Sequence, residues 1–245
     1  MATEHQPPEL QLTDKAEPEQ AVITETFIAP EWQKIDTVLL DMDGTLLDLH
    51  FDSHFWLEHL PKRYAELHKL DEASAVDYVI NEITKEQGTL NWYSLDYWAN
   101  HFEVDIVALK KEVQHLIGFR SDALELLKFL ESHQAQVILA TNADHHSLDI
   151  KLPVTGLDRY VDKIVSSAEL KIAKEDPAFW QALKEKVDFD PESTLLIDDN
   201  ETVLDSAQTF GIRYLYTIMQ PDMRSPVRTL TRYPGVSEFS AIIRR

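Results

Sequence analysis

"DTVLLDMDGTLLDL", residues 36–49, decides the fold. Its apolar run, Val38, Leu39 and Leu40, stops at Asp41, and Asp43 and the pair Gly44-Thr45 follow at once. A short apolar run closed by a glycine turn reads as a buried strand. Two carboxylates crowded at its end repel each other and lose hydration, so something must compensate them.

Working outward, apolar runs of strand length recur at 136–140, 162–166 and 193–197, with a weaker one at 212–217. Helical patterns lie between them. Residues 121–133 set Leu124, Leu126, Leu127 and Leu130 on one stripe, with Ser121 or Asp122 as a cap. Residues 176–187 open with Pro177, suited to a first helical turn, and 200–211 end in Gly211, a natural stop. This alternation predicts an α/β fold, a Rossmann-like parallel sheet with helices on both faces.

One interval breaks the rhythm. Residues 49–118 carry amphipathic patterns at 55–70, 72–87, 94–102 and 105–117 but almost no β-branched runs. They predict an all-helical insertion after the first strand, splitting the α/β core into 35–48 and 119–245. Residues 1–34 read as a disordered acidic N-terminal arm; the first 20 hold five acids, one lysine and three prolines.

The net charge of −20 argues against nucleic acid or an anionic membrane as the main partner. It also repels any phosphate-bearing ligand unless a local cation intervenes. The absence of cysteine excludes disulfides, a thiol nucleophile and thiolate metal sites. No apolar stretch approaches the roughly 20 residues of a membrane span, and the N-terminus lacks a basic-then-apolar signal pattern. The expectation is a cytoplasmic protein, a monomer or small homo-oligomer.

Ligands of open α/β sheets bind at the carboxyl ends of the strands. Asp41, Asp43 and Thr45 follow the first run, Thr141 and Asn142 the second, and Asp198, Asp199 and Asn200 the fourth. Lys174, favoured over Lys171, lies on the loop beyond the third. Several carboxylates in one crevice with no thiolate or histidine suit a hard cation, and Mg²⁺ is expected. One carboxylate of the opening pair can then attack phosphorus while the other transfers protons. Lys174 would neutralise charge, and Gly44, Thr45, Thr141 and Asn142 are the phosphate-binding candidates.

"DMDGT", a strand-end threonine, a lysine and "DD", in that order, resemble the haloacid dehalogenase-like hydrolase superfamily over roughly residues 35–220. The resemblance implies Asp41 as nucleophile and Asp43 as general acid/base, with its backbone carbonyl on the metal. It implies Asp199 as the metal carboxylate, Asp198 as a supporting ligand, Lys174 as the orienting cation and Thr141 as the phosphate contact. The insertion at 49–118 then corresponds to a mobile cap. Dehalogenases of the superfamily lack the second aspartate, so Asp43 points away from dehalogenation. "TLNWYSLDYW", "TNADHHSL" and "LLIDDNETVLDSAQTFGIRY" are similar to the GMP/IMP 5′-nucleotidase branch.

The expected function is a Mg²⁺-dependent phosphomonoesterase acting on a small molecule, a purine 5′-mononucleotide. The alternatives are a phosphosugar mutase, a phosphatase of another small ester such as phosphoglycolate, and a receiver-like phospho-acceptor domain. Trp92, Tyr93, Tyr97 and Trp98 are candidates for a base contact, with helix packing as their default role. His145 and His146 read as solvated or facing the insertion. Lys62, Arg63 and Arg120 are further basic candidates, each with a surface role as the plainer reading.

Overall fold

The computed structural model describes residues 29–243. Six parallel strands form one sheet: β1 Thr37–Leu40, β2 Gln136–Thr141, β3 Lys163–Ser166, β4 Thr194–Asp198, β5 Tyr214–Ile218 and β6 Gly235–Val236. Their order is β3-β2-β1-β4-β5-β6. The register pairs Leu40 with Leu139 on one side and with Ile197 on the other. The residues after β1, β2 and β4 therefore emerge in one layer, and this doubly wound order leaves a crevice there.

Strand side chains alternate between two cores. Val38, Leu40, Val137, Leu139, Leu195 and Ile197 point to one face and meet the helix α7, Ala123–Ser132. Leu39, Ile138, Ala140 and Leu196 point to the other, against α10 Pro177–Lys186 and α11 Glu201–Phe210. Helices on both faces explain why β1 is buried at every position. The fold class expected from the alternating runs is the one observed.

Between β1 and β2 the chain is helical. Helix α1, His50–His54, passes through a π-helical turn, Phe55–His59, into α2, Leu60–His68. Then come α3 Glu72–Lys85, α4 Leu90–Tyr93, α5 Leu95–Phe102 and α6 Ile106–Glu112. This insertion has its own apolar core, including Phe51, Phe55, Val79, Trp98, Phe102 and Ile106. It shares that core with Ile150 of α8, His145–Thr155, which follows β2.

Some elements departed from the sequence pattern. Helix α8 is not marked by any amphipathic stripe and carries Pro153 in its interior. Only the tertiary contacts of Ile150 and Lys151 reveal its inner face. Strand β6 has two residues and α12, Ser240–Ile243, four, both too short for periodicity. The anticipated arm lies outside the described residues over 1–28. Its end, however, packs onto the core: the Trp32 indole donates 2.7 Å to the Ile242 carbonyl and meets Phe129 edge-on. Among the described residues no helix is long and apolar enough to cross a membrane.

Candidate active site

Strand β1 delivers Asp41 into the crevice, 6 % exposed, with its amide donating 3.1 Å to the Ile197 carbonyl. The chain then turns through Gly44 at φ +87°. A Cβ on Gly44 would lie 2.8 Å from the Asp199 carboxyl carbon. Glycine is thus required twice, for the left-handed backbone and for the space Asp199 fills.

Lys174 is the cation at the centre. Its buried Nζ donates 2.5 Å to Asp41 Oδ1, 2.7 Å to Asp198 Oδ2 and 3.0 Å to the Ala140 carbonyl. Those three acceptors use all the donors of an ammonium. Burial alone would lower its pKa, but Asp198 and Asp41 outweigh that and raise it. Its loop is fixed from below: the Trp180 indole donates 2.7 Å to Ser206 Oγ, which donates to the Lys174 carbonyl. The competing Lys171 is exposed, at φ +59° after the short helix α9, Ser167–Leu170.

Asp41, Asp198 and Asp199 bring carboxylate oxygens within 4.8 Å of one another. The Lys174 ammonium, with the Arg228 guanidinium 3.8 Å from Asp199, does not balance three carboxylates. Burial, together with the Asp41 charge, pushes Asp198 up to about 7 against the opposing pull of Lys174. Burial and the charges of Asp41 and Asp198 raise Asp199 well above the carboxylate range. A buried all-oxygen donor set with surplus negative charge fits a hard divalent cation such as Mg²⁺. The Asp199 loop is held by Arg228, whose guanidinium donates 2.6 Å to the Asp199 carbonyl.

The Asp43 carboxylate is separate from that trio. Its Oδ1 pairs with Lys151 Nζ at 2.6 Å, and Lys151 also donates 2.7 Å to Asp52 Oδ2. Asp52 Oδ1 accepts from Lys110 Nζ at 2.8 Å. Burial raises Asp43 to about 6 despite Lys151. Burial also acts to raise Asp52, yet the two ammoniums overcome it and hold Asp52 at about 2.

The phosphate-binding candidates are all in the layer, with different engagements. Thr45 Oγ1 is buried without a hydrogen-bond partner. Thr141 lines the cavity, its Oγ1 accepting from the Ala143 amide at 3.0 Å. Asn142 is committed to scaffolding: its Oδ1 accepts from the Lys174 amide at 3.0 Å and its Nδ2 donates 3.0 Å to Glu175 Oε2. Glu175 also accepts from Tyr93 of α4 at 2.5 Å and from Asn200 at 3.2 Å. Asp144, the cap of α8, takes the Leu95 amide on Oδ2 at 2.7 Å. These bonds seat the insertion on the sheet.

A cavity of about 780 Å³ lies between the insertion and the strand ends. Trp56, Trp92, Tyr93 and Trp98 line it, but Tyr97 does not; its hydroxyl donates 2.9 Å to Glu86. Trp98 is 1 % exposed, packed on Phe102. His146 faces the insertion, 3.0 Å from Asp96. The remaining basic candidates are elsewhere. Arg63 pairs with Glu66 and Glu112, Arg120 donates to the Gln220 and Ser237 carbonyls, and Lys62 is exposed.

Sequence reading missed Lys110, Lys151, Asp52, Glu175, Arg228 and Trp56. Each sits on a helix or loop where a charged or aromatic residue has a plain surface or core reading. Only for Glu175, beside Lys174, did position offer a hint.

A doubly wound α/β sheet with an oxygen-rich acidic site at its carboxyl ends, roofed by a helical insertion, has the layout of an enzyme that works on a ligand at the strand ends. The chain belongs to the haloacid dehalogenase-like hydrolase family, whose model matches residues 35–211, and is a phosphatase-type enzyme. It is 39% identical over 212 residues to the GMP/IMP nucleotidase YrfG of Escherichia coli, covering 86% of this chain and 96% of that one. It is 22% identical to a phosphorylated carbohydrates phosphatase of Thermotoga maritima, over 76% of this chain and 86% of that one. The crystal structure of a HAD phosphatase from Thermococcus onnurineus superposes with a TM-score of 0.71 at 17% identity, covering 85% and 96% of the two chains. At that identity the likeness speaks for the fold.

Proposed function

We propose that the chain is a Mg²⁺-dependent phosphomonoesterase that hydrolyses purine 5′-mononucleotides, such as GMP and IMP, through an aspartyl-phosphate on Asp41. The observation that carries this is the buried Asp41 carboxylate, held by Lys174 beside Asp198 and Asp199, at the floor of a cavity walled by indoles. The cavity's volume is in the range of small-molecule sites. The likeness to the E. coli protein named a GMP/IMP nucleotidase supports the purine choice.

Lys174 occupies Asp41 Oδ1 and leaves the second oxygen to attack phosphorus. As the O–P bond to Asp41 forms, the ester P–O bond breaks, and the leaving oxygen takes its proton from Asp43. Water then attacks the same phosphorus, Asp43 accepts its proton, and the bond to Asp41 breaks to release phosphate. In this reading Thr141, which lines the cavity, and the Thr45 hydroxyl, buried without a partner, would hold phosphoryl oxygens. When bound, Mg²⁺ would be held by Asp41, Asp198, Asp199 and the Asp43 backbone carbonyl, supplying neutralisation of the carboxylate and the transferring group. The insertion at 49–118 serves as a cap that excludes water and offers Trp56 and Trp92 to the base.

Purified protein with Mg²⁺ is expected to release phosphate from GMP and IMP faster than from hexose phosphates or phosphoglycolate, and chelation to stop it. Absence of release across a broad panel of phosphomonoesters would overturn the enzyme reading. Release from sugar phosphates alone would overturn the nucleotide choice, and hexose phosphate isomerisation without net release would point to a mutase. The enzyme reading also carries a cytoplasmic location and a monomer or small homo-oligomer.

A further inference from the structure

We propose that Lys151 is a positioning residue for the acid/base step: it holds the Asp43 carboxylate aimed at the leaving oxygen, and is itself anchored by Asp52. The proposal rests on the phosphomonoesterase reading above, in which Asp43 passes the proton.

The geometry is specific. Lys151 Nζ is 2.6 Å from Asp43 Oδ1 and 2.7 Å from Asp52 Oδ2, with the lysine side chain 2 % exposed. Among the described residues no other side chain pairs with the Asp43 carboxylate. A carboxylate at a cavity wall with a single partner takes its orientation from that partner. Lys151 lies on α8, part of the sheet's own framework, whereas Asp52 lies on α1 of the insertion. Asp52 is fixed in turn by Lys110 at 2.8 Å, and that ammonium lies 4.5 Å from the Phe55 ring centroid and 4.8 Å from that of Phe51. Asp43, Lys151, Asp52 and Lys110 thus alternate in sign along a line from the reacting end to the insertion's apolar core, the two lysines buried and the two carboxylates partly exposed.

Two other roles for Lys151 fit less well. A phosphate-binding lysine would direct most of its donors at the ligand, whereas two of the three N–H groups of this ammonium are engaged by carboxylates. A purely structural lysine would need no partner among the reacting groups, whereas one of its two is Asp43. Holding Oδ1 leaves Oδ2 as the atom that gives and takes the proton. Unseating the insertion would separate Asp52 from Lys151 and loosen Asp43, so acid/base competence is tied to closure.

The test uses leaving groups of different acidity. An alkyl phosphate ester such as GMP needs a proton on its departing oxygen; p-nitrophenyl phosphate departs as a stable anion and needs little help. kcat/KM covers the steps through that departure. Lys151→Met is expected to lower kcat/KM for GMP by about 10²-fold and for p-nitrophenyl phosphate at least about tenfold less. Asp43→Asn should show the same leaving-group dependence, and the double variant should lose no more than Asp43→Asn alone. If the Met variant does not fold, Lys151→Gln, which retains a polar donor, carries the comparison. Equal losses for both esters, or a double variant with multiplied losses, would overturn the positioning role. A wild-type protein that cleaves neither ester would instead overturn the phosphomonoesterase reading beneath it.

Discussion

The floor and the roof of the cavity are built on opposite electrostatic plans. On the floor, Asp41 and Asp198 share the Lys174 ammonium while Asp199 lies 3.8 Å from the Arg228 guanidinium, so three carboxylates face two cations. On the roof side two cations and two anions alternate, Lys110 and Asp52 of the insertion with Lys151 and Asp43 of the core, and Trp56 and Trp92 are among the side chains that line the cavity. A surplus of buried charge is costly without a counter-ion, so the floor is built to recruit a cation and act on an anion. The roof-side charges are matched by one another, and under the proposed function the cavity-lining indoles of the insertion are the surface a flat base would meet.

Several measurements can break or sharpen this division. The largest effect is expected from Asp41→Asn, which should cut phosphatase activity by at least about 10³-fold. Its thermal stability should hold, because one of three crowded carboxylates is neutralised. Substantial residual turnover would show that the floor does not react. Gly44→Ala comes next. The added Cβ meets the Asp199 carboxylate at 2.8 Å on a positive-φ backbone, and about 1–3 kcal/mol of stability should be lost. The same variant should need more Mg²⁺ for half-maximal activity, measured by metal titration.

The roof's ion pairs predict a pH effect. Asp52 is held at about 2, below the ordinary carboxylate value, so its contribution is present above that value and is lost as pH falls through about 2. Acid titration of stability should show about 2 kcal/mol less loss between pH ~4 and ~2 in Asp52→Asn than in the wild type. Equal slopes would mean that the roof's charges are not paired in solution. Trp92→Ala should raise KM for GMP about tenfold with kcat little changed. KM for phosphoglycolate, which has no base, should not move; if both rise alike, the roof does not read the base. The smallest effect is expected from Tyr93→Phe, which removes a hydroxyl donor to Glu175 while Asn142 and Asn200 still serve that carboxylate. About 1 kcal/mol, read as a few-fold fall in kcat/KM, should result.

Legibility follows the same division. Asp41, Thr141 and Asp198 each close an apolar run of strand length, and parallel strands in register bring their ends to one layer. Lys174 could be preferred over Lys171 from its place before an Asp-Pro helix start, and the structure puts its ammonium between Asp41 and Asp198. Lys151 gave no such signal. Its helix lacks a stripe, includes a proline, and sets its one lysine between Ile150 and Leu152.

What the amino-acid sequence determined by itself was the alternating framework, the helical interruption and the polar layer at the strand ends. These depend on periodicity and on residues adjacent to a run, which are local properties of the chain. Only the tertiary structure decided which charges meet inside the insertion and against it. Asp52 reaches Lys151 across 99 positions and Lys110 across 58. No local pattern encodes a pairing between helices so far apart, because a lysine's long stem can lead equally to solvent or to a buried carboxylate, and the packing around it makes the choice.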